Sequence, residues 1–199
     1  MSRALCPHCQ FSLLTCLCAN IVTVKNKLQI IILQHPSETK VTKNTAKLLN
    51  LCLSQCCVVQ GESQSDFQFL NDLPSKNTAV LYPNEHAFLL DSNDENISYL
   101  KTQLTHLIVL DGTWKKAFKI MQLTPRLHDF MSVSFKTIPP NRYRIRKSPR
   151  LDSLSTLEAV AYSLLLIEQQ NPEPLYAVLD ALNDKQTQFM PAHVKARYK

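Results

Sequence analysis

Two glycines, Gly61 and Gly112, stand in a chain of 199 residues. Ordinary usage is about 7%. Two glycines cannot supply G-x-G-x-x-G, G-x-x-x-x-G-K-[ST] or G-x-S-x-G. That excludes Rossmann dinucleotide enzymes, P-loop nucleotide hydrolases and nucleophile-elbow hydrolases. The length fits one globular domain with an appendage, and such a chain buries roughly 70% of its unfolded surface. Apolar residues make up 45% of it and charged residues 19%, which argues against bulk disorder. No apolar run reaches the roughly 20 residues that a membrane span needs. The start MSRALCPHCQ has no apolar signal-peptide core before its cysteines. A soluble, cytoplasmic protein is expected, with no membrane association. Its seven cysteines then read as thiols or metal ligands rather than a disulfide framework.

Beyond residue 22 the hydrophobic pattern alternates between strand and helix. Leu28–Leu33 (LQIIIL) is a short continuous apolar run ending at Pro36, as in a buried strand. Further strands are expected over 56–59, 79–82 and 106–110, with an edge strand over 132–137. Helices are expected over 42–53, within 92–103, after Trp114, over 157–169 and within 174–190. Residues 61–77 read as loop. Strands that are apolar throughout belong to sheets buried on both sides. The expected fold is therefore α/β, a mainly parallel sheet with helices on both faces. One boundary is drawn, between a cysteine knuckle over 1–22 and an α/β domain over 23–199.

Cys6, Cys9, Cys16 and Cys18 spell C-x2-C-x6-C-x-C. Zinc takes four soft ligands in a tetrahedron, and paired cysteines at short spacing supply them. A closed, structural zinc site is favoured over four unligated thiols in a disordered N-terminus. Cys52, Cys56 and Cys57 lie in apolar surroundings and are expected to pack.

In parallel α/β sheets, ligands bind beyond the carboxyl ends of the strands. Three such ends are polar: His35-Pro36-Ser37-Glu38, followed by Thr42 and Thr45; Tyr82-Pro83-Asn84-Glu85; and Asp111-Gly112-Thr113-Trp114. A fourth polar segment, Ser155-Thr156-Leu157-Glu158, opens the long helix. Each has a plain alternative. Ser155 and Glu158 match a capping box, and Asp111 or Thr113 can cap the helix that follows. Trp114 alone would read as a core residue or a partly buried anchor.

The segment from Lys136 to Arg150 carries Lys136, Arg142, Arg144, Arg146, Lys147 and Arg150 and no acid. Its charge equals the +6 of the whole chain. On an extended backbone Arg142, Arg144 and Arg146 share one face. Such a stripe suits a phosphate backbone, and nucleic acid is favoured over a merely solvated loop.

Taken together and in this order, C-x2-C…C-x-C, HPSE…NTAKLL, L-Y-P, LDGTW, R-x-R-K-x-P and LSTLEA resemble the DTW-domain family, whose name is written in Asp111-Gly112-Thr113-Trp114. The resemblance covers nearly the whole chain. It implies a SPOUT-like α/β domain with a C-terminal trefoil knot. It also implies transfer of the 3-amino-3-carboxypropyl (acp) group from S-adenosylmethionine to N3 of a uridine in the tRNA variable loop, giving acp3U47 and methylthioadenosine. On this reading Asp111, Thr113 and Trp114 serve catalysis. Ser37, Thr42, Thr45, Leu110, Ser155, Thr156 and Glu158 hold the donor. Arg142, Arg144, Arg146, Lys147 and Arg150 hold tRNA, aided by Lys195, Arg197 and Lys199. No obligate protein partner is evident. Two other readings stay open: a SPOUT-type RNA methyltransferase with the same donor, and a non-catalytic zinc-containing RNA-binding module.

Overall fold

The computed structural model describes residues 4–39, 41, 43–145, 153–188 and 190–191. Along the chain run β1 (Gln29–Gln34), α1 (Thr45–Cys52), β2 (Cys56–Gln60), β3 (Thr78–Leu81), β4 (Phe88–Leu89) and α2 (Glu95–Gln103). Then follow β5 (His106–Asp111), α3 (Trp114–Leu123), β6 (Met131–Ser134), α4 (Thr156–Glu168) and α5 (Glu173–Thr187). The six strands form one sheet in the order β2-β1-β5-β3-β6-β4. All of its pairings are parallel.

Successive strand side chains point to opposite faces, and here both faces are covered. Ile30, Ile32, Leu107 and Val109 join a cluster with Leu48 and Leu49 of α1, Leu157 and Leu164 of α4 and Leu179 of α5. Ile31, Leu33 and Ile108 join a second cluster with Ile120 and Met121 of α3 and with Phe67 and Leu70. This double burial is why LQIIIL and HLIVL carry no polar alternation. Polar groups fix the elements in place. Asn44 caps α1 by accepting from the Lys47 N–H at 3.0 Å. Glu168, the last residue of α4, accepts from the backbone N–H groups of Lys27 and Leu28 at the entry to β1.

The structure departs from the expected elements in three places. Residues 132–137 were expected as an edge strand, but β6 lies inside the sheet between β3 and β4. The edge is the two-residue β4, too short for a pattern of alternation to show. The other edge is β2, whose Cys56–Val59 are only partly buried. The stretch 61–77 contains two short 3-10 turns, Gln68–Asp72 and Ser75–Asn77, and its Phe67 and Leu70 are fully buried. The expected helix over 42–53 starts at Thr45, because Asn44 takes the cap position.

Neither glycine has a positive φ. Both positions need space instead. A Cβ at Gly61 would lie 2.4 Å from the Asp66 Cβ and 2.8 Å from the Phe67 ring. Asp66 cannot retreat easily. Its Oδ2 accepts from the N–H groups of Glu62 and Ser63 at 2.9 and 3.0 Å, and these bonds hold its carboxyl below the usual range. Gly61→Ala is therefore expected to destabilise the fold by about 1–3 kcal/mol, the usual cost of overpacking. Urea denaturation will measure it, and an unchanged midpoint would contradict the steric account.

Candidate active site

The carboxyl ends of β1 and β5 meet in register, with Gln34 opposite Asp111. Residues paired this way point to the same face, toward α4. Gln34 Nε2 donates to Asp111 Oδ2 at 2.8 Å. The Thr156 hydroxyl, at the first position of α4, donates to Asp111 Oδ1 at 2.5 Å. Asp111 is 8% exposed, so both oxygens need such partners. Thr113 holds the cap position of α3, and its side chain makes no capping hydrogen bond.

Two cavities lie at these strand ends, and Asp111 lines the smaller. The larger, about 480 Å³, is lined by Tyr82, Leu110, Trp114, Phe135, Lys136, Ser155 and Thr156, among others. The smaller, about 310 Å³, is lined by Glu38, Lys43, Asn44, Thr45, Asp111, Thr113, Tyr143 and Thr156, among others. Gly112 and Thr156 border both. A Cβ at Gly112 would come within 2.9 Å of the Lys116 Cβ, so the bare backbone lets α3 start close against the strand end. Both volumes fall in the range of small-ligand sites.

The structure brings together most of the residues singled out in the sequence. Leu110, Trp114, Ser155 and Thr156 share the larger cavity, whereas Thr45, Asp111 and Thr113 share the smaller. Ser37 lines neither, and its hydroxyl lies 2.9 Å from His35 Nδ1. Thr42 lies outside the described residues. Glu158 completes the capping box with Ser155. Its Oε2 accepts from the Ser155 N–H at 2.8 Å, and its Oε1 accepts from the N–H groups of Arg142 and Tyr143 at 2.5 and 3.2 Å. Glu158 is 1% exposed, so this acid is committed to backbone amides. Gln34, Lys43 and Phe135 were not singled out in the sequence. For Gln34 a signal existed, since it is the polar residue that ends an otherwise apolar strand.

The basic segment divides. Tyr143 and Ile145 are buried, Arg142 is partly buried and Arg144 is exposed; the backbone is not the extended chain expected but turns tightly, the Arg144 N–H donating to the Arg142 carbonyl at 2.9 Å. The Tyr143 hydroxyl donates to the Lys43 carbonyl at 2.5 Å, and Lys43 Nζ donates to the Ile145 carbonyl at 3.1 Å. Arg142 is engaged on α5, where it pairs with Glu173 at 3.1 Å and lies 4.8 Å over the Tyr176 ring. Arg144 makes no ion pair among the described residues. Arg146, Lys147, Arg150, Lys195, Arg197 and Lys199 lie outside them.

At the N-terminus the Sγ atoms of Cys6, Cys9, Cys16 and Cys18 all lie within 4.8 Å of one another. Cys6 and Cys18 are 3.5 Å apart, and Cys9 and Cys16 are 3.8 Å apart. A tetrahedron with Zn–S bonds of about 2.3 Å has S–S edges of about 3.8 Å. The donor set and its spacing therefore fit zinc. The backbone N–H groups of Cys9 and His8 pull the Cys6 thiol down to about 6, while its hydrogen bond with Cys6 is the chief cause that pushes Cys18 up to about 12. Lys47 of α1 braces the knuckle by donating to the Gln10 carbonyl at 2.6 Å, with its ammonium 5.0 Å from the Phe11 ring centroid.

A parallel α/β sheet whose central strand ends in Asp-Gly-Thr-Trp between two cavities, beside a four-cysteine knuckle, places this molecule in a definite class. The DTW domain family matches residues 3–187, and the chain belongs to it. Its relatives include "tRNA-uridine aminocarboxypropyltransferase 2" of Drosophila melanogaster, 30% identical over 206 residues, covering 98% of this chain and 75% of the fly protein. The proteins of the same name from Macaca fascicularis and Mus musculus are 32% and 30% identical. Each match covers 94% of this chain and 64% of the relative. This chain therefore spans a little under two thirds of the length of those two relatives. No solved structure matches. Among the described residues no helix is long and apolar enough to cross a membrane.

Metal analysis of protein purified without added metal is expected to find about one zinc per chain. Cys9→Ser, which removes a fully buried ligand, is expected to abolish it. Four freely titrating thiols in metal-free protein would refute the site.

Proposed function

We propose that this chain transfers the acp group from S-adenosylmethionine to N3 of a uridine in the tRNA variable loop, position 47, releasing methylthioadenosine. Family membership and the shared name of the relatives support the coarser part, aminocarboxypropyl transfer to a tRNA uridine. The observation that supports the finer part is Asp111, a buried carboxylate that lines the smaller cavity and accepts from Thr156, which borders both cavities. A two-substrate transfer needs two adjacent sites and a group at their junction.

The larger cavity takes the donor. The sulfonium supplies the chemistry, since it activates the carbons attached to sulfur. Trp114 and Phe135 offer ring surface there. The start of α4 at Ser155 and Thr156 offers hydroxyls and helix-end N–H groups for the methionyl carboxylate. The smaller cavity takes the uracil, and Thr45 and Thr113 line its wall. In the transfer the N3–Cγ bond forms, the Cγ–S bond breaks, and sulfur leaves as a neutral thioether. The N3 proton goes to the Asp111 carboxylate or through it to water. In-line placement is the main requirement. Gly112 and Thr156, common to both cavities, set the approach.

The knuckle over 1–22 holds structural zinc and braces the domain over 23–199. Arg144, with Arg146, Lys147 and Arg150, holds tRNA phosphates, and Arg142 positions the segment through Glu173. A SPOUT-like C-terminal knot and a cytoplasmic location belong to the same proposal.

Incubation with tRNA and donor is expected to yield methylthioadenosine and acp-uridine. S-adenosylhomocysteine in its place would make the protein a methyltransferase, and no turnover on any tRNA pool would make it a binding module. Asp111→Asn is expected to leave tRNA binding intact and to slow transfer at least about a hundredfold, the scale of a lost general base. Because the carboxylate accepts from Gln34 and Thr156, stability should also fall by about 1–3 kcal/mol. Near-normal turnover would make the carboxylate purely architectural.

A further inference from the structure

Helix α3 turns Ala117, Ile120 and Met121 into the core. Its outer face carries Trp114, 43% exposed, and Phe118, 56% exposed. Residues four apart lie one turn apart on the same side of a helix, so the two rings follow one another along it. Phe118 is not needed to seat the helix, which three buried side chains already anchor. Trp114 lines the larger cavity, so the aromatic face starts at the mouth of that cavity and runs away from it.

The charges that α3 itself carries have one sign. Over Trp114–Leu123 there are three lysines and no acid. Lys116 pairs with Glu38 and Lys119 pairs with Glu62, both at 2.7 Å. Lys115 is exposed and has no ion-pair partner among the described residues. Lys136 stands at the lining of the same cavity. Exposed ring faces with cations beside them, continuous with a cavity that takes a group donor, match unpaired nucleotides. A base stacks on a ring whatever its identity, and its phosphate meets the ammonium.

We propose that the outer face of α3 is an RNA-docking platform: an unpaired base next to the target uridine stacks on Phe118, and its phosphate is held by Lys115. The platform rests on the proposed tRNA substrate. It adds a second contact surface to the basic segment. Phe118 and Lys115 act here as binding residues, remote from the reacting atoms.

Trp114, the only tryptophan, reports on this face. Titration of the full chain with tRNA, without donor, is expected to quench its fluorescence. Phe118→Ala is expected to weaken tRNA binding about tenfold or more, the scale of one lost stacked base, and Phe118→Leu to weaken it similarly. Phe118→Tyr keeps the ring and should bind as the parent does. Lys115→Gln should reduce the slope of log affinity against log salt by about 0.7. Affinity for S-adenosylmethionine should not change in any variant, and thermal melting will verify that each is folded. Tight tRNA binding by Phe118→Ala, with acp transfer retained, overturns the platform and leaves the proposed function standing. Equal binding by the leucine and tyrosine variants overturns stacking. A parent dimer that Phe118→Ala converts to a monomer makes this face a subunit interface and overturns the proposal. A parent protein that binds no tRNA overturns both the platform and the function beneath it.

Discussion

The pairing of Gln34 with Asp111 is the point on which the site turns. Parallel register places the two side chains together at the ends of β1 and β5, on the face that α4 covers. A buried carboxylate without donors would cost several kcal/mol. Gln34 supplies one donor from within the sheet, and Thr156 supplies the other from the helix packed over it. One acid thus ties two central strands to the start of α4. Moving any of the three elements would leave a charged oxygen without its partner.

Around this tie the contacts differ in what they contribute. The Tyr143–Lys43 and Lys43–Ile145 hydrogen bonds run in opposite directions between two loops, so neither loop moves without the other. The neutral Tyr143 bond contributes about 1 kcal/mol net, and the bond from the Lys43 ammonium about 1.5–3 kcal/mol. The ion pairs of Glu38 with Lys116 and of Glu62 with Lys119 are partly exposed. Such pairs contribute about 0–1 kcal/mol. Their effect is to orient α3 at the strand ends. Stability resides in the two apolar clusters on either side of the sheet.

The sheet was legible in the sequence because its central strands are buried on both faces and so form unbroken apolar runs. The long helices were legible from spacing and caps. Ser155 and Glu158 form the capping box their spacing spelled. Where the pattern was too short, as at β4, nothing marked it. The rank of β6 within the sheet was equally invisible, because strand order depends on packing between distant segments. The residues of the site were visible as polar breaks at strand ends, but their assignment to one cavity or the other was not. Thr45 comes to Asp111 only through the path of the loop before α1, and Ser37 turns aside to His35. Arg142 looked equivalent to Arg144 in the alternating stripe. A glutamate and a tyrosine on α5, some thirty residues on, distinguish them.

Glu158 holds the basic segment by its backbone. The acid accepts from the N–H groups of Arg142 and Tyr143, groups that every residue except proline carries. The course of the chain past α4 is thus set through the main chain as well as through the side-chain contacts of Tyr143 with Lys43 and of Arg142 with Glu173. Charge on the outer side can be added, removed or exchanged without redirecting the loop. Substitution at the exposed Arg144 can thus change the charge this loop presents, while the pocket behind it keeps its shape. The division of labour is between a gripped stretch of chain and the exposed side chain next to it, which is free to diverge.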